Sequence, residues 1–162
     1  MASAISHAKG TVLKPSTDGH KSLYQTPSPF EKRIGYYRAV RHGSHIFVSG
    51  TTAVDPTSSA SAPQIKYPDD AGKQCRVAFE ECLEAVKALG GSLESVVRVR
   101  MFVSRHEDCN QVGEAFRVMF AKDGETGQGG EIGVAATMIV VRDGFVNTDM
   151  LVEVEMDAMV DH

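Results

Sequence analysis

The last β-like segment constrains the fold most strongly, because apolar and acidic side chains alternate along it. Between Met150 and Met159 every second residue is apolar: Val152, Val154, Met156 and Ala158. The positions opposite them are Leu151, Glu153, Glu155 and Asp157. Because successive side chains of a strand point to opposite faces, this pattern predicts a strand with one apolar face and one charged face.

A second segment, Val96 to Val103, carries the complementary charge. Its β-branched residues favour a strand. One face holds apolar side chains, namely Val97, Val99, Met101 and Val103. The other face holds Arg98 and Arg100 with Val96 and Phe102. Two arginines on one strand and three carboxylates on another predict that the two strands are neighbours.

Two helices are predicted between and after these features. The first spans about residues 71 to 89, with Asp69 or Asp70 as its N-cap and Gly90-Gly91 as its stop. Its apolar residues recur at helical spacings: Cys75, Phe79, Cys82, Leu83, Val86 and Leu89. The second helix spans about Glu107 to Ala121. Two helices cover only one face of a sheet of this size, so we expect them on the apolar face.

The uncovered face would then expose a large apolar area, since it would hold Phe102, Leu151 and much of the apolar segment Val134–Val141. Large exposed apolar areas mark interaction surfaces. We therefore expect copies of the chain to associate through this face. Clefts between such copies would be natural binding sites for a small molecule.

The remaining segments complete an α+β domain. Residues 1–28 show no periodicity and are interpreted as a flexible N-terminal arm, and residues 29–162 as one domain. Segments 36–41 and 45–50 predict a hairpin, and Val134–Val141 predicts a strand. The expected order is β-β-α-β-α-β-β. Residues 123–133 are predicted to form a Gly-rich loop between a helix and a strand, an order opposite to that of a phosphate-binding loop.

Composition excludes several classes of function. Seventeen basic against 21 acidic residues give a net charge of −4, which argues against nucleic acid as a partner, although tyrosines 36 and 37 could stack on bases. No apolar run approaches the ~20 residues of a membrane helix. The six histidines show no metal-ligand spacing. Three cysteines without a C-x-x-C pair indicate reduced thiols and a cytoplasmic location; the Ser-rich start gives only a weak mitochondrial signal.

Five motifs in chain order resemble the reactive intermediate deaminase (RidA/YjgF) family. They are Gly43–Gly50 (GSHIFVSG), Lys87–Ser92 (KALGGS), Val96–Val103 (VVRVRMFV), Phe116–Phe120 (FRVMF) and Val152–Ala158 (VEVEMDA). The resemblance implies a chorismate-mutase-like sheet backed by two helices, assembled as a homotrimer with ligands in clefts between subunits. It also implies hydrolysis of 2-imino and enamine acids to 2-keto acids and ammonia, without a metal or organic cofactor.

The resemblance also assigns residues to a site. It places the water-positioning glutamate at Glu153, a substrate-binding turn at Ser49-Gly50, and a substrate-binding tyrosine at Tyr36 or Tyr37. The family motif Pro-Ala-Arg-Thr or Pro-Ala-Arg-Ser reads Val-Ala-Ala-Thr at residues 134–137. Ala136 therefore replaces the arginine that would bind the substrate carboxylate, and Thr137 follows it. The family's frequent helix asparagine and strand cysteine are Gly113 and Met138 here.

Two arginines are candidates to replace the missing anchor. Arg38 follows the tyrosine pair, and Arg100 lies on the face shared with Glu153; alternatively, both merely neutralise the carboxylates of the last strand. The expected function is an atypical hydrolase that deaminates an imine, an enamine or a related carbonyl metabolite, with Glu153 directing water. A substrate without an α-carboxylate would suit Ala136. The alternative is a non-catalytic binding or sensing trimer that has lost the chemistry.

Overall fold

A computed structural model describes residues 10–15, 17, 19–59, 61–120 and 132–161. In this part of the chain three α-helices and two short 3-10 helices accompany one seven-stranded sheet. The strands are β1 (Thr11–Leu13), β2 (Lys21–Gln25), β3 (Ala39–His42), β4 (His45–Thr51), β5 (Val96–Val103), β6 (Ala135–Val140) and β7 (Val152–Met159). The helices are α1 (Pro29–Ile34), α2 (Ala71–Ala88) and α3 (Cys109–Phe120).

The sheet has the strand order β1-β2-β3-β4-β7-β5-β6. All neighbours are antiparallel except β5 and β6, which are parallel. The last strand, β7, therefore lies at the centre between β4 and β5. The predicted neighbours are confirmed, because Arg100 of β5 pairs in register with Glu155 of β7.

Helices α2 and α3 cover one face of the sheet and enclose the core. The carboxylate of Asp70 caps α2 by accepting a hydrogen bond from the Lys73 backbone N–H at 2.8 Å. Phe79 of α2 is fully buried and contacts the ring of Phe120 of α3, with 5.5 Å between centroids. Core positions of β7 lie beneath them: Val152, Val154, Met156 and Ala158. The predicted α+β arrangement, with two helices on the apolar face, is confirmed.

The first part of the chain contains more regular structure than its sequence predicts. β1 and β2 lie within the expected arm and extend the sheet beyond β3, and α1 follows them. Only Tyr24 of these two strands is buried, so an apolar alternation that would reveal them is missing. They are held mainly by backbone pairing, which leaves little trace in the sequence.

The predicted face assignments of three residues, Val96, Val97 and Leu151, are wrong. The pairing of β5 with β7 shifts between Val96 and Arg98, so Val96 is buried while Val97 is 40% exposed. A β-bulge of this kind breaks the two-residue alternation. Leu151 precedes β7 and is buried in the core rather than on the uncovered face; its N–H donates to the Gln74 side-chain oxygen at 2.8 Å.

The three cysteines are free thiols. Cys75 and Cys82 are buried in the core, and burial raises the pKa of Cys82 to about 12. Both therefore act as small apolar residues.

Among the described residues, no helix is long and apolar enough to cross a membrane. The cytoplasmic location stays a prediction. All but the last two residues of the predicted 123–133 loop lie outside the described residues.

Candidate functional site

The candidate site begins with a bulge where β4 meets β7. Val48 pairs with Met156, and Thr51 pairs with Val154. Two residues of β4, at positions 49 and 50, therefore oppose the single residue 155 of β7. Bulges of this kind commonly occur beside active sites, because they redirect side chains and interrupt the strand pairing.

A buried arginine holds the bulge in place. Arg38, only 5% exposed, donates from Nη1 to the Gly50 carbonyl at 3.0 Å and to Thr51 Oγ1 at 2.6 Å. Its Nε donates to Glu31 Oε1 at 3.0 Å, forming a buried ion pair. Glu31 also accepts hydrogen bonds from the backbone N–H and the hydroxyl of Thr26. This network ties α1 and the residue before β3 to the bulge.

A cleft of about 610 Å³ opens over the bulge. Its walls come from α1, α2, β4, β7 and the segment 144–150. The aromatic part of the lining consists of Tyr24, Phe30, Tyr36 and Phe145. The acidic part consists of Glu81, Glu84, Glu153 and Glu155. A cleft of this volume, with aromatic walls and a few polar groups, has the usual character of a small-molecule site.

The Glu153 carboxylate is one of the four acidic groups that line the cleft. Its side chain is half-buried, and within the described part of the chain it has no hydrogen-bond or ion-pair partner. Burial raises the pKa of Glu153, the charge of Glu155 raises it further, and Arg38 partly offsets both. An unpaired carboxylate with increased proton affinity is suited to accept a proton from water.

Five of the predicted site residues line this one cleft: Tyr36, Arg38, Ser49, Gly50 and Glu153. The Ser49 hydroxyl donates to the Tyr37 carbonyl at 2.8 Å, which fixes the bulge to the preceding segment. Of the two candidate tyrosines, Tyr36 lines the cleft and Tyr37 does not. Burial raises the pKa of Tyr36, and the nearby Arg38 charge partly offsets this effect.

The other three predicted residues lie outside the cleft. Arg100 contacts two carboxylates of β7, Glu155 at 3.2 Å and Asp157 at 3.0 Å. Thr137 pairs in register with Arg100 and is exposed on β6 at the edge of the sheet. Ala136 precedes Thr137 on the same edge strand and is also exposed. Arg100 therefore neutralises carboxylates of β7. The structure brings neither Ala136 nor Thr137 to the cleft of its own chain.

Sequence reasoning missed two carboxylates that shape the site. Glu31 is the partner of Arg38, but it follows a Pro-Phe pair in a segment without a recognisable pattern. Glu81 lies on α2 beside the buried stripe, and burial raises its pKa to about 7. A single acid next to an apolar helical stripe is normally a solvated residue, so no signal in the sequence identifies it.

Comparisons with known proteins identify a matching family and similar proteins. The sequence model of the family described as Endoribonuclease L-PSP matches residues 27–160. An uncharacterised protein of Streptomyces coelicolor is 31% identical over 134 residues, covering 83% of this chain and 88% of its own.

Two solved structures share the chorismate-mutase-like fold. Rv2704 of Mycobacterium tuberculosis, a member of the YjgF/YER057c/UK114 family, is 31% identical with a TM-score of 0.67, covering 86% of this chain and 99% of its own. Escherichia coli TdcF with bound serine is 22% identical with a TM-score of 0.59, covering 78% and 88%. On the match across residues 27–160 and the likeness to Rv2704, the chain belongs to the RidA/YjgF family.

Proposed function

We propose that this protein is a cofactor-free hydrolase that deaminates an imine, an enamine or a related carbonyl metabolite lacking an α-carboxylate. One observation carries the proposal: the half-buried Glu153 carboxylate, unpaired among the described residues, faces the cleft beside the β4 bulge. Tyr36 and the Ser49-Gly50 backbone hold the substrate against this carboxylate. No nucleic acid is needed as a partner, and four lining acids oppose a phosphate backbone.

The chemistry requires one water molecule and one base. Glu153 accepts a proton from water while the water oxygen bonds to the carbon of a protonated imine, whose C=N π electrons move to nitrogen. The resulting carbinolamine takes the proton from Glu153 on its nitrogen. The C–N bond then breaks, the hydroxyl oxygen forms the carbonyl, and the hydroxyl proton leaves with ammonia as ammonium. Glu153 is a carboxylate again at the end.

The substrate is assigned no α-carboxylate because the one arginine that lines the cleft, among the described residues, is already engaged. By the motif resemblance, Ala136 takes the position of the family arginine. The Arg38 guanidinium is engaged by Glu31, Gly50 and Thr51. Arg100 is engaged by two acids of β7 and lies outside the cleft lining. A charge-assisted hydrogen bond contributes about 1.5–3 kcal/mol, so its loss weakens carboxylate binding by at least tenfold.

The protein works as a homotrimer in this proposal. The sheet face opposite α2 and α3 exposes apolar side chains, among them Phe47 at 50%, Ile139 at 48% and Met159 at 48%. Exposed Thr137 and Ala136 lie on the edge strand of the same sheet. A second copy packed on this face covers the apolar side chains, and the edge strand of one subunit then completes the cleft of another.

The experiment compares imines with and without an α-carboxylate. An amine oxidase generates the carboxylate-free imine and an amino-acid oxidase generates 2-iminobutyrate, and release of carbonyl product is timed for each. We expect acceleration with the former, loss of at least a hundredfold in Glu153→Gln, and no change in Glu107→Gln, an exposed acid of the His106–Asp108 turn. Unchanged turnover in Glu153→Gln would remove Glu153 from its role.

A non-catalytic small-molecule-binding trimer is the second candidate, favoured by Ala136 in place of the family arginine. TdcF carries bound serine, which supports small-molecule binding in this fold without requiring chemistry. No acceleration with either imine, together with saturable binding, would favour this candidate. The Ala136→Arg variant separates the two further, since a gain of 2-iminobutyrate hydrolysis would show that the rest of the catalytic cleft is intact.

A further inference from the structure

The charges that face the cleft have one predominant sign. Five charged residues line it, of which Arg38 is basic and four are acidic, at positions 81, 84, 153 and 155. The positive charge of Arg38 is balanced by its ion pair with Glu31 at 3.0 Å. Glu31 is not one of the four acidic residues that line the cleft. The interior of the cleft therefore carries a net negative charge. A site that attracts an anionic 2-imino acid would carry a positive charge instead.

Intramolecular pairing leaves two of the four acids unbalanced. Glu84 pairs with Lys87 at 3.1 Å, and Glu155 pairs with Arg100 at 3.2 Å. Glu81 and Glu153 have no ion pair or hydrogen bond to any other described residue. They lie on different elements, α2 and β7, so the cleft has an unpaired carboxylate on two of its walls. Burial without a partner disfavours the charged form of a carboxylate, and a cation between the walls would relieve that cost.

The remaining walls suit a cation that also has an apolar part. Tyr36, Phe30 and Phe145 place aromatic rings in the walls of the cleft, which is a concave site of about 610 Å³ rather than a flat acidic surface. The face of an aromatic ring attracts a positive nitrogen by about 0.5–2 kcal/mol. The negative walls repel carboxylates, and like-charge contacts of this kind reject the wrong ligand.

We propose that this cleft selects a cationic nitrogen compound without a carboxylate, namely a protonated imine or amine, with Glu81 and Glu153 as the charge-determining residues. The inference rests on the proposed function for the cleft and narrows its substrate class. A protonated imine is also the form that water attacks most readily, so the walls that bind the cation retain the reactive state.

Binding measurements test the inference separately from catalysis. Benzylammonium, benzyl alcohol and benzoate present one ring with a positive, neutral or negative group. Each is titrated into the full-length protein at pH 8 and followed by calorimetry. We expect benzylammonium to bind at least tenfold more tightly than benzyl alcohol, and benzoate to bind most weakly. Glu81→Gln and Glu153→Gln should each lower benzylammonium affinity by about tenfold and leave benzyl alcohol affinity unchanged, whereas Glu107→Gln should alter neither.

Several results would overturn the inference: benzoate binding as tightly as benzylammonium, no saturable benzylammonium binding, or unchanged benzylammonium affinity in both cleft variants. Selective benzylammonium binding without imine hydrolysis would leave this inference standing and remove the proposed hydrolase function. Imine hydrolysis with no preference for the ammonium probe would do the reverse.

Discussion

Gly50 and Glu153 occupy adjoining space so closely that residue 50 accommodates no side chain without moving the carboxylate. A Cβ built on Gly50 would overlap Glu153 Oε1. The φ angle of Gly50 is not in the left-handed region, so space rather than backbone conformation requires glycine here. The bulge thus brings the backbone of β4 against the carboxylate.

Gly50→Ala should therefore impair function more than folding. The overlapping atom is the end of a flexible side chain, so Glu153 can rotate away, and we expect unfolding free energy to change by less than about 1 kcal/mol. The displaced carboxylate would lose the burial that raises its pKa. A carbon-detected NMR titration should show the Glu153 pKa closer to its ordinary value, with at least tenfold lower imine hydrolysis. An unchanged titration with full activity would contradict this account.

Removing one partner of the buried Arg38–Glu31 pair should be strongly destabilising. Arg38→Met leaves Glu31 as a buried charge without its cation and frees the bulge carbonyl at Gly50. We expect a loss of about 3–5 kcal/mol in unfolding free energy, measured by urea denaturation. Lys87→Met removes an exposed ion pair to Glu84 and should cost below about 1 kcal/mol.

The double variant Arg38→Met, Glu31→Gln distinguishes ion pairing from packing. If the unpaired charge causes the loss, neutralising Glu31 should recover part of it, and the double variant should be more stable than Arg38→Met alone. Equal or additive losses would show that the guanidinium acts through its contacts with Gly50 and Thr51 instead.

The fold was predictable from the sequence where periodicity was strong. The alternation along β7 and the helical stripe of α2 determined the covered face of the sheet, and burial of Val154 and Cys82 confirms both. β1 and β2 could not be predicted, because short strands at the margin of a sheet, held mainly by backbone pairing, need few buried side chains. The reversed positions of Val96 and Val97 arise from a bulge, which backbone pairing creates without altering the residue types.

The candidate site was predictable only in part, for a similar reason. The motifs singled out Gly50 and Glu153, which the bulge brings together. The sequence does not reveal that Glu31 holds Arg38 or that Glu81 faces the same cleft, because both relationships arise from tertiary packing. Position 136 is informative only through the family pattern, since its side chain lies outside the cleft of its own chain.

Burial of Glu81 should make stability depend on pH. Its pKa is raised from 4.5 to about 7 in the folded protein, so the folded state keeps a proton that the unfolded chain releases in this interval. This contribution is fully present below pH 4.5 and is lost as the pH rises through about 7. Glu81→Gln keeps the side chain neutral and should raise unfolding free energy at pH 8, on the order of 1–3 kcal/mol, with little effect near pH 4.5.

The comparison uses the difference between the wild type and Glu81→Gln at each pH. This difference cancels groups of opposite direction such as Asp70, whose pKa is lowered by the hydrogen bond from the Lys73 N–H. Urea denaturation at several pH values provides the measurement, with Glu107→Gln as the exposed control. A difference that stays constant from pH 5 to about pH 8 would show that Glu81 titrates normally.

Two glycines that receive the same substitution should respond with opposite signs. Gly113 lies inside α3, and an added Cβ would meet Met138 Cε at 3.9 Å, an ordinary contact. Because alanine favours a helix interior over glycine, Gly113→Ala should stabilise the fold by about 0.5–1 kcal/mol. At Gly91 the added Cβ would lie 2.7 Å from Val86 Cγ1 and 3.3 Å from Ile46 Cδ1. Gly91→Ala should therefore lower the unfolding free energy by about 1–3 kcal/mol through overpacking. Thermal unfolding of both variants tests this prediction. Equal shifts of the unfolding midpoint in the two variants would contradict the packing around α2 and α3.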